Sequence, residues 1–461
     1  EARVELPRKR GAARLADLTW PEVERLRASG CTTAILPLGS TEQHGPHLPF
    51  ATDTLIADAV AVRVAARLGG ALCLPALPLG CADEHLGFPG TLSLADDTLC
   101  AIVRDTGRAL ARHGFTRLLL FTAHGGNYGA LRAAAPRLEP PQVAVERVRV
   151  DRLTAADAQK IIAATKPHYH ISAGLHSAET SPPEAVIELV YRLAVSEEPY
   201  IRKIRDNVIV SVAGTTDLDG RDRAVDWYNA YKIDEAYEGG ENYGGPPYWG
   251  KYVFHDNNRD INYGVDSLRA HLEWYLHWLP PVWHDLHEAQ ILMYTFSGQP
   301  PQNANLDPIL YSELPFFANY EVNKLTGYGM PGVWHFGFVD MWSPGYLGFA
   351  AANHNGMLRM YEIFNQGGAT TKKARLSGGQ LTREWYRPKP APTGEIDWSI
   401  RNSINYAQTG VLTALELAST VPGMLVENFY KKSVNGVAAG ADRAPYAFVL
   451  PAGQPDQTRV D

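Results

Sequence analysis

Cysteine is scarce in this chain: Cys31, Cys73, Cys81 and Cys100 are the only four in 461 residues. Their spacing fits neither a zinc ribbon nor a redox pair, so buried thiols are expected rather than a disulfide framework. No apolar run approaches the roughly 20 residues needed to cross a bilayer, and a membrane partner is therefore not expected. There is no basic excess either, with 43 Lys and Arg against 50 Asp and Glu and a net charge of −7. Arg8, Lys9 and Arg10 form the visible basic cluster, too little for a phosphate-binding surface, so nucleic acid is excluded as a partner. Internal repeats and low-complexity tracts are lacking. No apolar signal segment follows Glu1, and the compartment stays unassigned. What remains, 45% hydrophobic and 20% charged residues, is the balance of a globular enzyme.

A second scarcity divides the chain. Before residue 151 there is one Trp (Trp20), one Tyr (Tyr128) and one Lys (Lys9), whereas the rest holds most of the 10 Trp and 22 Tyr. The junction is expected near Pro140 and Pro141, in LEPPQ. In the first segment, strand-like runs (TAILPLGS, ALCLPALPLG, RLLLFTAHGG) alternate with Ala/Leu/Arg helices (LIADAVAVRVAARLG, TLCAIVRDTGRALARHG), the order of a parallel α/β sheet. The second segment begins similarly, with a helix near Ala155 to Thr165, a strand HYHISAGL, a helix from about Pro182 and a strand DNVIVSVAG. Ser181 and Glu184 are placed to close a capping box around Pro182 and Pro183. From Trp227 to about Leu347 the texture predicts long loops rich in Tyr, Trp, Asn, Gly and Pro that shape a cleft.

In the larger segment, His176 and Glu179 follow the strand HYHISAGL three positions apart, and His287 ends the run PPVWHDLH two residues after Asp285. Two His and one Glu, with a fourth position left to water, is a donor set zinc favours. Asn257, Asn258, Arg259 and Asp260 form a polar cluster whose guanidinium suits two-point capture of a carboxylate. After Asn353-His354-Asn355-Gly356 comes Glu362, a candidate general base; Glu416 in TALELAS is its rival.

The motifs GLHSAETSPPE, TTDLDGRDR, HDNNRD, WHDLHE and NHNGMLRMYE occur in the order seen in zinc metallocarboxypeptidases, and residues 152 to 370 resemble that family. The resemblance implies His176, Glu179 and His287 as zinc ligands, Arg259 with Asn258 as binders of the substrate's terminal carboxylate, and Glu362 as the catalytic glutamate. It also implies Arg223 for the oxyanion and a loop tyrosine, for which both Tyr346 and Tyr328 qualify. The likeness is compatible with secretion or a periplasmic location.

In the first segment Glu42, His44 and Asp53 lie just past a strand, where open α/β sheets place their sites, and His124-Gly125-Gly126-Asn127 ends another. With Gly87-Phe88-Pro89-Gly90-Thr91 between them, residues 15 to 140 resemble the creatininase family of amidohydrolases and its peptide-trimming relatives. The resemblance implies that Glu42, His44, Asp53 and His124 ligate a pair of Zn or Mn ions, Asp53 bridging, and it allows a homo-oligomer. The family's later half, which supplies a last glutamate ligand, has no clear counterpart; Glu179 resembles it superficially but cannot complete both sites.

The expected fold is α/β in two units: an incomplete parallel creatininase-like segment (1–148) and an α/β/α mixed-sheet carboxypeptidase-like domain (149–380). A helical appendage (381–461), truncated at its end, follows. The expected function is zinc-dependent removal of C-terminal residues from peptides with a free C-terminus. The alternatives are creatininase-type two-metal hydrolysis of a cyclic amide or small peptide, and an inactive peptide- or glycan-binding relic.

Overall fold

The run Thr33–Leu38 is buried at every position, which a strand achieves only when both faces of its sheet are covered. It is β2 of a four-stranded parallel sheet ordered β1-β3-β2-β4, with β1 at Ala13–Arg14, β3 at Ala71–Cys73 and β4 at Arg117–Thr122. In this computed structural model the described residues are 13–134, 149–231, 250, 254–261, 263–289, 292–335, 339, 341–343, 345–365, 370–378, 381, 394–445 and 449. The predicted junction at Pro140 and Pro141, the Arg8–Arg10 cluster and the final GQPDQTRVD lie outside them.

The chain divides into two compact units, one of Glu1–Ala144 with Glu188–Glu197, the other of Val145–Ile187 with Glu198–Asp461. In the first, helices Thr52–Leu68 and Asp96–Arg112 connect the parallel strands, as the alternation of apolar runs predicts. Leu36, Leu38, Leu72, Leu99 and Val103 build its core, and all four cysteines are buried and unbridged.

The second unit carries a six-stranded sheet ordered β6-β5-β7-β10-β8-β9. Here β5 is His168–Ala173, β6 Ile209–Ala213, β7 Val282–Ala289, β8 Met293–Thr295, β9 Val333–Trp334 and β10 Met357–Phe364. Strands β6, β5, β7 and β10 run parallel, while β8 pairs antiparallel with β10, so the sheet is mixed. Leu175, Leu268, Tyr275, Trp283, Leu347 and Ala351 form a core between one sheet face and helices Asp266–Trp278 and Leu347–Asn353. On the other face, buried Arg359 of β10 pairs with Glu321 of helix Pro308–Gly327, and Gly410 of helix Ile400–Thr420 sits against Tyr361. The architecture is α/β/α. A two-stranded ribbon, β11 (Lys372–Arg375) with β12 (Glu395–Trp398), follows.

Two expectations change. The described residues of 227–347 are not all loops, since they hold helices Asp266–Trp278 and Pro308–Gly327 and strands β7, β8 and β9. The buried stripe of the first helix is Leu268, His271 and Tyr275, two of them residue types that disguise an apolar face. The helix Ile400–Thr420, within the C-terminal appendage expected at 381–461, packs on β10 and helix Pro308–Gly327. The capping box of Ser181 and Glu184 does not form. Instead Glu288 of β7 accepts the Ser181 backbone N–H (3.0 Å) and hydroxyl, while Glu184 pairs with Arg221 at 3.2 Å. A buried carboxylate satisfies the helix start in place of a local cap.

No single described helix is long and apolar enough to cross a membrane; Ile400–Thr420 and Pro422–Asp442 reach that measure only together, bent by 81°.

Candidate metal centres

In the second unit the sheet register brings distant segments together. β7 and β10 are parallel neighbours with His287 opposite Glu362, Asp285 opposite Met360 and Trp283 opposite Leu358. Side chains two apart share a face, so Asp285 and His287 project with Leu358, Met360 and Glu362 to one side of the sheet. β5 lies on the other flank of β7, and the turn after it delivers His176 and Glu179 to the same end.

There the side chains converge. His176 Nδ1 lies 2.8 Å from Glu179 Oε1, and His287 Nδ1 lies 3.1 Å from Oε2 of the same carboxylate. Each ring turns its other nitrogen to a further carboxylate: His176 Nε2 donates to Asp256 (3.0 Å) and His287 Nε2 to Asp285 (2.6 Å). Asp285 is itself held, because the Ser172 hydroxyl donates to its other oxygen at 2.6 Å and the indole N–H of Trp283 donates to Ser172 at 2.8 Å. Such outer partners orient a metal-binding imidazole and raise its basicity.

The electrostatics show what is missing from this cluster. Burial disfavours the charged form of His176, yet the Glu179 charge and the hydrogen bonds to Asp256 and Glu179 raise its pKa to about 9. Burial opposes the charged form of His287 too, but Asp285 and Glu179 hold it well above its ordinary value. For Glu179 the two imidazoles outweigh burial and hold the carboxyl below its usual range. Two imidazolium protons thus occupy the places facing one carboxylate, where a single divalent cation would satisfy all three side chains. His176, Glu179 and His287 have ligand atoms within 4.8 Å of one another, and the donor set fits zinc.

Glu362 lines the adjoining cleft, its pKa pushed up to about 7, chiefly by burial. It lies on a strand, whereas Glu416 sits on helix Ile400–Thr420 with Tyr320 and Lys324 as partners, away from the cleft. Arg259 lies over the Tyr346 ring at 4.4 Å and donates to the Asn258 carbonyl at 2.8 Å. Asp260 is not its partner; it accepts from the Val265 backbone at 2.7 Å. Asn258 also lines the cleft, but its side chain accepts from the Leu347 N–H (3.3 Å) and lies 3.4 Å from His287 Nε2. Tyr346 lines the cleft, and Tyr328 is 59% exposed. Arg223 donates to the Gly250 carbonyl and is not among the residues lining the cleft. The orienting carboxylates Asp256 and Asp285 went unassigned in the sequence, although Asp-x-His on a strand signals two side chains on one face.

The first unit gathers its own cluster at the carboxyl ends of β2 and β4. His124 Nδ1 lies 3.2 Å from Glu42 and 3.1 Å from Asp53, and His44 Nε2 lies 2.9 Å from Asp53. All four predicted residues are brought together. The outer nitrogens meet backbone carbonyls: His124 Nε2 donates to Cys81 (2.7 Å) and His44 Nδ1 to Glu42 (3.1 Å). Burial works against the charged form of His124, but hydrogen bonds to Asp53 and Glu42 raise its pKa to about 10. Glu42 Oε2 is buried without a hydrogen-bond partner, an orphan that a cation would satisfy. Gly126 permits the close loop after β4, since a Cβ there would collide with the Cys81 carbonyl.

Residues 16–182 match the profile of the creatininase family, creatinine amidohydrolase. The match does not stop at the division of the chain: it runs into the second unit and includes His176 and Glu179. The mycofactocin precursor peptide peptidase of Mycobacterium ulcerans is 40% identical over 128 residues, covering 26% of this chain and 46% of the relative. The creatinine amidohydrolase of Pseudomonas putida is 42% identical over 118 residues, covering 24% and 45%. The chain thus spans about half the length of the curated relatives it matches. Among solved structures, a creatininase matches at 39% identity and TM-score 0.26 over 28% of this chain and 52% of that one. A metallo-carboxypeptidase from Burkholderia cenocepacia matches at 13% identity and TM-score 0.38 over 56% and 57%. No carboxypeptidase family profile matches by sequence, so that reading stands on the residues themselves.

Proposed function

We propose that the second unit is a zinc-dependent hydrolase that removes C-terminal residues from peptides. The observation that carries this is the convergence of His176 Nδ1 and His287 Nδ1 on the Glu179 carboxylate, each ring backed by a further carboxylate, beside a cleft holding Glu362 and Arg259. His176, Glu179 and His287 would hold the ion, which when bound supplies Lewis acidity toward water and toward the scissile carbonyl. Glu362, poised near neutrality by burial, takes a proton from water and returns it to the leaving amine. Arg259, stacked on Tyr346, holds the terminal carboxylate and so limits cleavage to the chain end.

A second reading concerns the first unit, where the family match and the buried Glu42 oxygen that lacks a hydrogen bond favour a metal-dependent amidohydrolase site. Its relatives bear the names of a peptide peptidase and a creatinine amidohydrolase, both denoting hydrolysis. A relic that binds ligand without chemistry is the remaining alternative.

The test is a peptide assay with free and amidated C-termini, comparing wild type with Glu362→Gln, together with metal analysis of His176→Ala and His44→Ala. Cleavage of the free peptide alone, abolished by Glu362→Gln, with zinc lost in His176→Ala, is the expected result. Metal lost only in His44→Ala favours the first unit, and absence of metal favours the relic.

A further inference from the structure

The cleft beside Glu362 has a floor of one chemical character. Its cavity, about 160 Å³, is lined by His176, Asn258, Arg259, Asp285 and Glu362 at the polar end and by Val339, Met341, Leu358, Met360 and Gly348 elsewhere. Leu358 and Met360 continue the β10 face that carries Glu362, so the floor descends from the general base onto a leucine and a thioether. Gly348 keeps that floor open, because a Cβ there would collide with the Leu358 side chain.

The charge beside the floor, Asp285, is already engaged. Asp285 is 2% exposed, with one oxygen taken by the Ser172 hydroxyl at 2.6 Å and the other by His287 Nε2 at 2.6 Å. Arg359, the cation next to Met360 in sequence, faces the opposite side of the sheet, fully buried against Glu321. Arg259 is the guanidinium lining the cavity among the described residues, and on the carboxypeptidase reading it is taken by the terminal carboxylate, while His176 belongs to the proposed metal cluster.

We infer that the residue this site removes is apolar and of leucine, methionine or phenylalanine size, its side chain seated on Met360 and Leu358. The inference rests on the carboxypeptidase reading above. A lysine or aspartate side chain brought onto Met360 and Leu358 would be desolvated without a partner among the described residues of that floor. The volume agrees with the size: a dry apolar cavity of about 150 Å³ holds benzene.

The experiment uses the zinc-loaded full chain and N-acylated peptides differing only in the last residue: Leu, Met, Phe, Lys or Asp, each also as the amide. Expected kcat/KM for Leu, Met and Phe exceeds that for Lys and Asp by about a hundredfold or more. Met360→Ala, checked for native circular dichroism and unchanged zinc content, should shift the Phe-to-Leu ratio about tenfold toward Phe. Equal or faster release of Lys or Asp overturns the inference while leaving the peptidase reading intact, as does a Phe-to-Leu ratio unmoved in a folded, zinc-loaded Met360→Ala. Cleavage of none of the five free peptides, or equal cleavage of their amides, overturns both.

Discussion

The two acid–histidine clusters of this chain use the same side chains and differ in what stands behind the imidazoles. In the first unit His124 and His44 donate to the backbone carbonyls of Cys81 and Glu42; in the second, His176 and His287 donate to Asp256 and Asp285. A carboxylate behind the ring makes the inward nitrogen more basic than a neutral carbonyl does, so on the proposed reading the second cluster is expected to hold a cation more tightly. The second adjoins a cleft lined by Glu362 and Arg259. In the first, Glu42 Oε2 is buried without a hydrogen bond, with His85 Nε2 3.9 Å away.

The largest expected effect is loss of the stronger centre. His287→Ala should remove about one equivalent of zinc, measured by elemental analysis after dialysis, and with it peptide hydrolysis. His44→Ala should leave that equivalent in place; loss in both variants would erase the distinction. Next, Glu362→Gln should lower kcat about 10²- to 10⁴-fold while zinc content stays unchanged, because proton transfer is lost and the ligands remain. An unchanged kcat would move the base elsewhere.

Sharpening the comparison, Asp285→Asn should weaken zinc affinity about 10- to 100-fold in chelator competition. It keeps the shape of the contact and removes its charge, making the second centre resemble the first. Affinity equal to wild type would show that the outer carboxylate does not matter.

Smallest for activity, because it falls on stability and touches neither centre, is the effect of histidines without a carboxylate hydrogen bond among the described residues. His170 Nε2 faces His271 Nε2 at 2.8 Å, and burial pushes these rings down to about 2 and about 4. They are neutral in the fold, so their contribution is complete above the unfolded value near 6.5 and is lost as pH falls below it. Below pH 6 the loss should approach about 1.4 kcal/mol per pH unit for His170 and become smaller for His271 as the pH nears its own value of about 4, read from urea midpoints. In a His170→Gln, His271→Gln variant the dependence should flatten.

How far the sequence could be read differs from place to place. The alternation of apolar runs before residue 140 shows the parallel sheet directly, because strands buried on both faces are apolar throughout. The helix Asp266–Trp278 was hidden because its buried face uses His271 and Tyr275, whose polarity is masked only by packing on Trp283. His176, Glu179 and His287 are legible as residue types, while Asp256 acquires its role only when a loop 80 positions away folds onto His176. Arg223, assigned by resemblance, is bound to the Gly250 carbonyl instead of the cleft.

By itself the sequence determined the α/β class, the division of the chain by composition and the residue types that make up both acid–histidine clusters, since each follows from local pattern and residue type. Tertiary structure alone decided which carboxylates orient the imidazoles, that Met360 and Leu358 floor the cleft, and that Arg359 is withdrawn from it. Those outcomes depend on strand register and on which sheet face a helix covers, quantities that hydrogen bonding between distant segments sets and no local stretch encodes.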